Sequence, residues 1–282
     1  MIRPRRSMLY IPGDKIRALE KARGLACDSI IFDLEDAVSP ENKALARETI
    51  AHAVATGGYG ERELILRVSG LDVTEDFALA NTLAIHGVLL PKIERPEAVI
   101  AAASRTNHPI WCMIETPLGV LRAGEIAGAS DRLAGFVAGT NDLAKELHAR
   151  HTPARTPLIT ALSLMLLAAR AHGLAAIDGV HLDLDDAAGL EAACQQGVEL
   201  GFDGKSLVHP NSIDIANRVF APQPAEIERA RAMVAAWEAA RAQGLGVARI
   251  GGAMVEQLHV DEASRLLALA DAIERRSVLS AS

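Results

Sequence analysis

Two acids, Glu115 and Asp142, follow directly on two consecutive apolar runs, in Ile110-Trp-Cys-Met-Ile-Glu115-Thr-Pro and Phe136-Val-Ala-Gly-Thr-Asn-Asp142-Leu-Ala. Taken singly, each is explained as an acid at the start of the next helix, because Thr116-Pro117 and Thr140-Asn141 are helix-start residues and acids favour helix N-termini. As a pair on neighbouring parallel strands, they point to a divalent cation. Magnesium takes hard oxygen ligands, and one or two carboxylates suffice because water and substrate complete its shell. Asp33-Leu-Glu35-Asp36 ends an earlier run. Three acids in four residues repel one another unless a cation, an arginine or solvent answers them, and strand alternation puts Asp33 and Glu35 on one side. Arg67 interrupts the apolar strand Leu64-Ile-Leu-Arg67-Val, where an unpaired charge is costly. Its partner is expected to be Glu35, a substrate oxygen or both, and a purely structural ion pair is the competing reading.

These residues need a scaffold that gathers strand ends. Eight short apolar runs alternate with helical patterns: Ser7 to Ile11, Ser29 to Leu34, Glu63 to Val68, Gly87 to Pro91, Ile110 to Ile114, Leu133 to Ala138, Ala175 to Val180 and Gly204 to Val208. Apolar residues three or four apart mark helices in Lys43 to Val54, Pro157 to Ala171 and Asp186 to Leu200. The expected fold is a (β/α)8 TIM barrel, whose chemistry sits at the C-terminal strand ends. An open doubly wound sheet is the alternative, but the first turn, Pro12-Gly13-Asp14-Lys15, is no dinucleotide fingerprint. We expect residues 1–244 to form the barrel with its catalytic mouth. Residues 245–282, a short strand segment and a helix from about His259 to Glu274, are expected to form a lid or an arm to a neighbouring subunit.

The chain has 282 residues, half of them apolar, and a net charge of −7. That charge argues against general nucleic-acid or membrane binding. Three cysteines without metal-type spacing read as reduced thiols of a cytoplasmic protein, and no window approaches a membrane span. The first 23 residues nevertheless carry Arg3, Arg5, Arg6, Lys15, Arg17, Lys21 and Arg23, a candidate phosphate contact near the first βα loop or else a solvated basic face. Lys205 and His209 are expected at the barrel mouth, whereas His148, His151 and His181 read as surface or packing residues. No Ser-His-Asp order, CxxC pair, HExxH or P-loop appears.

Arg6-Ser-Met-Leu-Tyr10-Ile-Pro-Gly13, Ile31-Phe-Asp-Leu-Glu-Asp-Ala-Val38, Leu66-Arg-Val68, Leu90-Pro-Lys92, Met113-Ile-Glu-Thr-Pro117, Gly139-Thr-Asn-Asp-Leu-Ala144, Gly201-Phe-Asp-Gly-Lys205 and His209-Pro210 together resemble the citrate lyase beta-subunit and malyl-CoA lyase family. The similarity runs over nearly the whole chain and is nearest to free-standing bacterial enzymes of malyl-CoA-like thioesters, thioesterases included. The resemblance implies magnesium, with manganese as the alternative ion, on Glu115 and Asp142, and Arg67 on a substrate oxygen. It implies that Asp33, Glu35 and Asp36 organise Arg67 and the waters around the ion. A CoA thioester is the implied substrate, with Arg6, Tyr10, Lys15, Arg17, Asp33, Arg67, Lys205 and His209 as candidate substrate or CoA contacts. It also implies a C-terminal acid over the mouth, from the same or a neighbouring subunit, hence a homo-oligomer such as a trimer or hexamer. That acid is Glu256, where many lyases of the family carry aspartate. The leading expectation is a lyase that cleaves a malyl-CoA or citramalyl-CoA type thioester to an acyl-CoA and a 2-oxo acid. The alternatives are a malyl-CoA thioesterase using the same residues, a citrate lyase beta-like subunit, and a barrel retained only for binding.

Overall fold

The computed structural model describes residues 2–250 and 253–281. Its contacts divide into two compact units, Arg5–Phe220 and Met1–Pro4 with Ala221–Ser282. In the larger unit the eight apolar runs are eight strands: β1 (Ser7–Pro12), β2 (Ser29–Asp33), β3 (Glu63–Arg67), β4 (Gly87–Leu90), β5 (Ile110–Ile114), β6 (Leu133–Ala138), β7 (Ala175–Asp178) and β8 (Gly204–Leu207). All neighbours pair in parallel, and β8 closes on β1 through Ser7–Lys205, Met8–Ser206 and Leu9–Leu207. The helices between them are α1 (Ile16–Ala22), α2 (Lys43–Thr56), α3 (Thr74–Ala80), α4 (Pro96–Ala103), α5 (Pro117–Leu121), α6 (Ala123–Ala127), α7 (Thr140–Glu146), α8 (Ile159–Ala171), α9 (Ala187–Leu200) and α10 (Ile213–Val219). The TIM barrel expected from the sequence is therefore the fold.

The strands read as continuous apolar runs because both faces are covered. Met8, Ile31, Ile65, Leu89, Trp111, Met113, Val137 and Ile177 fill the barrel. Their alternates, among them Leu9, Ile30, Phe32, Leu66, Val88, Cys112 and Phe136, face the helices in a second, larger cluster. Each large side chain so buried contributes about 1.5–3 kcal/mol. Local signals set the helix limits. Thr116 caps α5 by accepting the Gly119 N–H, with Pro117 in the first turn. Asp186 caps α9 in the same way on Gly189, and Gly201 ends α9 in the left-handed conformation, φ 102°, which glycine adopts without penalty.

The floor of the barrel, at the strand N-termini, is closed by ion pairs. Arg5 forks onto Glu63 at 2.7 and 2.8 Å and lies over the Trp111 ring, 4.8 Å from its centroid. Arg6 forks onto Asp28 at 2.8 and 2.9 Å. Both arginines precede β1, so they lie at the end opposite the βα loops.

In the smaller unit, α11 (Pro224–Ala242) is followed by the antiparallel pair β9 (Ala248–Ile250) and β10 (Ala253–Val255), then α12 (Gln257–Ala281). Trp237 and Ala240 of α11 pack with Ala248, Val255 and Val260. This shared core takes α11 into the C-terminal unit, so the contact boundary falls at 220/221 rather than the expected 244/245. Gly251, Gly252 and Ser282, part of the expected lid segment, lie outside the described residues. The three cysteines are buried. Among the described residues no helix is long and apolar enough to cross a membrane.

Candidate active site

Asp33 and Arg67 are the last residues of β2 and β3 and stand opposite each other in the register. Arg67 Nε donates to Asp33 Oδ1 at 2.7 Å and Nη2 to Oδ2 at 2.6 Å, a fork on a carboxylate that is 1% exposed. Asp33 Oδ1 also accepts the Glu35 N–H at 2.8 Å, so this acid holds both the arginine and its own loop. The guanidinium is stacked over the Tyr10 ring at 4.8 Å, and its Nη1 donates to the Met113 sulfur at 3.5 Å. Burial works against the charge of Arg67, but the bonds and charge of Asp33 prevail and raise its pKa above the ordinary arginine value. Burial likewise pushes the Tyr10 hydroxyl upward, against the pull of Arg67.

Glu35 is the second acid on Arg67. Its Oε2 lies 2.6 Å from Nη1 as an ion pair, yet the approach is off the N–H direction, and this buried oxygen has no hydrogen-bond donor. Its Oε1 accepts Lys92 Nζ at 2.7 Å. Burial raises the Glu35 pKa, while Arg67 and Lys92 oppose that rise. Lys43 anchors the loop from α2 by donating to the carbonyls of Leu34 and Glu35.

Glu115 follows β5 and is 2% exposed. Its Oε1 accepts the Lys92 N–H at 2.8 Å. Gly139 makes room for it: a Cβ at 139 would overlap Glu115 Cβ and Oε2. Burial pushes the Glu115 pKa up to about 7, the Lys92 N–H opposes this, and the charges of Glu35 and Asp142 add to it. Asp142, in the first turn of α7, is thus close enough to Glu115 for their charges to interact. Among the described residues Glu115 forms no ion pair, and no group of three or more His, Cys, Asp and Glu side chains forms a metal cage. A buried carboxylate answered by one N–H, a second carboxylate whose charge reaches it and a buried Glu35 oxygen that accepts no hydrogen bond suit a hard divalent ion that keeps water and ligand in its shell. Magnesium fits these residues.

The structure thus brings together Asp33, Glu35, Arg67, Glu115, Asp142 and Tyr10. Asp36 sits at the rim, 62% exposed, with its Oδ1 3.8 Å from Lys92 Nζ. Lys15, on the first βα turn, and Arg17, in the first turn of α1, are exposed at the mouth end, with Lys15 2.9 Å from Asp14. His209 follows β8 and caps the next turn by accepting the Asn211 N–H at 3.2 Å. Glu256 is exposed in the smaller unit, where its N–H donates to His259 Nδ1 at 3.1 Å.

Three expectations are corrected. Arg6 is at the floor, because it precedes its strand, and Asp28 engages its fork. Lys205 does not line the mouth. It is fully buried and, alternating with Ser206, points outward to Asp178 Oδ2 at 2.8 Å; Arg155 contacts the same carboxylate at 2.7 Å from another side. Asp33, expected as a substrate contact, has both of its oxygens engaged by Arg67 and the loop N–H groups. Sequence reasoning missed Lys92, Lys43 and Met113. Of these, Lys92 had a signal in its place at the end of the fourth apolar run, after Pro91.

The model of the HpcH/HpaI aldolase/citrate lyase family matches residues 6–210. The chain is 51% identical to a (3S)-malyl-CoA thioesterase of Cereibacter sphaeroides strain KD131 over 277 residues, 96% of each chain. It is 37% identical to the citrate lyase subunit beta of Leuconostoc mesenteroides subsp. cremoris, over 96% of this chain and 94% of that one. Among solved structures, protein CitE from Mycobacterium tuberculosis in complex with magnesium, acetoacetate and coenzyme A is 30% identical, with a TM-score of 0.77 covering 94% of this chain and 97% of that one. With barrel, strand-end acids and sequence in agreement, the chain belongs to the HpcH/HpaI aldolase/citrate lyase family.

Proposed function

We propose that this chain is a magnesium-dependent enzyme of malyl-CoA-type 3-hydroxyacyl-CoA thioesters that hydrolyses the thioester to malate and CoA. The observation that carries the site is Glu115, a buried acid beside Asp142 with no ion-pair partner among the described residues. The choice of hydrolysis over carbon–carbon cleavage is supported by the higher identity to malyl-CoA thioesterase than to citrate lyase subunit beta.

In this reading Glu115 and Asp142 hold the ion, which when bound acts as a Lewis acid toward substrate oxygen and fixes its orientation. The proposed CoA contacts are Lys15 and Arg17, both exposed. Glu256 takes a proton from the water that attacks the thioester carbonyl carbon. The carbonyl oxygen becomes an oxyanion, and Arg67, pre-oriented by Asp33, stabilises it without reorganising. The carbon–sulfur bond then breaks, and the thiolate of CoA takes up the proton. Glu256 acts from its own or a neighbouring subunit, and the latter requires a closed homo-oligomer.

Lyase chemistry is the second reading, supported by the citrate lyase subunit beta relatives. There Glu256 takes the proton of the 3-hydroxyl, and Arg67 stabilises the enolate of acetyl-CoA. Incubation of malyl-CoA with enzyme and magnesium separates the two. Malate with free CoA supports hydrolysis, and glyoxylate with acetyl-CoA replaces it with the lyase. No turnover of malyl-CoA rejects both.

A further inference from the structure

Lys92 stands just after β4 with φ 51°, a left-handed backbone in a residue that is neither Gly nor Asn. Such an outlier persists only where its surroundings determine it, and it points to function. Here, past the end of the strand, the Lys92 N–H is aimed at Glu115 Oε1, 2.8 Å away. The next N–H, of Ile93, donates to the Met113 carbonyl at 3.3 Å. The side chain leaves in a different direction. Its Nζ donates to Glu35 Oε1 at 2.7 Å, while Arg67 holds Glu35 Oε2 at 2.6 Å. Glu35 is therefore held between two cations, one on each oxygen, and Arg67 is already engaged by Asp33.

We propose that Lys92 is a positioning residue that joins the two halves of the site, its backbone N–H orienting Glu115 and its ammonium holding Glu35 against Arg67. The proposal rests on the functional reading above, in which Glu115 holds the ion and Arg67 meets the oxyanion. The two roles separate by substitution. Lys92→Arg keeps the charge. Lys92→Gly keeps the left-handed backbone and removes the ammonium. Lys92→Val, branched at Cβ, disfavours positive φ and so withdraws the N–H.

Magnesium titration by calorimetry is expected to give wild type, Lys92→Arg and Lys92→Gly within about threefold of one another. Lys92→Val is expected to bind at least tenfold more weakly, the usual scale for losing a partner of a metal ligand. With malyl-CoA, kcat is expected to fall at least tenfold in Lys92→Gly with KM within about threefold. Lys92→Arg and n-butylammonium added to Lys92→Gly should each restore part of it. Equal magnesium binding by Lys92→Val and wild type, or an unchanged kcat in Lys92→Gly, overturns the proposal. So does a kcat loss that neither Lys92→Arg nor the amine relieves. If Lys92→Val does not fold, Lys92→Gly against Lys92→Arg decides the side-chain half, and a Lys92→Gly protein that loses magnesium rejects the backbone half. A wild-type protein that leaves malyl-CoA unchanged sinks the functional reading instead, and the calorimetry still judges Lys92.

Discussion

Replacing Glu115 by glutamine is expected to make the metal-free protein more stable at pH 8. Burial first, then Glu35 and Asp142, raise the folded-state pKa from 4.5 to about 7. The folded state therefore binds the Glu115 proton more tightly than the unfolded chain does, and stability falls as pH rises from 4.5 to 7. The full penalty is present above 7. A shift of that size corresponds to about 3 kcal/mol, an order-of-magnitude upper bound because the neighbouring charges relax. At roughly 2–4 °C per kcal/mol for a chain of this class, it amounts to a Tm up to about 6–12 °C higher. Glutamine keeps an oxygen for the Lys92 N–H, so that donor keeps its partner. Thermal unfolding followed by circular dichroism in EDTA is the assay, at pH 8 and again near pH 4.5, where the difference should vanish. Added magnesium should then raise the wild-type Tm at pH 8 and leave Glu115→Gln unmoved. A variant that melts below wild type in EDTA at pH 8 would refute the reasoning, because Glu115 would then have a partner that stabilises its charge.

Magnesium should bind wild type about tenfold more weakly at pH 6 than at pH 8, because a proton competes for a carboxylate with a pKa of about 7; calorimetry at the two pH values reads this directly. Arg67→Lys keeps a charge but loses the two-pronged contact with Asp33, and kcat on malyl-CoA should fall about 100-fold or more in steady-state assays. Lys205→Met leaves Asp178 fully buried with Arg155 alone. Denaturant unfolding should show a loss of about 3–5 kcal/mol, while KM for the CoA thioester stays at the wild-type value.

The barrel was legible because a parallel strand covered on both faces must be apolar at consecutive positions, and eight such runs stand out against helical spacing. Glu115, Asp142, Glu35 and Arg67 were legible for the same reason, as charges at the ends of those runs. Placement across the barrel was harder to read. The basic N-terminal residues look like one cluster in sequence, but β1 begins at Ser7, which sends Arg5 and Arg6 to the floor and leaves Lys15 and Arg17 at the mouth. Lys205 lies within a strand, and only the inward–outward phase of β8 shows that it faces Asp178. Lys92 could not be given a role because its part depends on a positive φ, which no residue type at that position announces. α11 was assigned to the barrel because it follows the eighth strand, whereas its Trp237 packs with residues beyond the Gly244-Leu-Gly246 break.

The most direct measurement is a crystal structure of the protein loaded with manganese in place of magnesium, with data collected for anomalous scattering. The account predicts one anomalous peak within about 2.2 Å of a carboxylate oxygen of both Glu115 and Asp142, on the side of the mouth that Arg67 faces. A peak bound to only one of these acids, a peak elsewhere on the chain, or none at saturating manganese would contradict it.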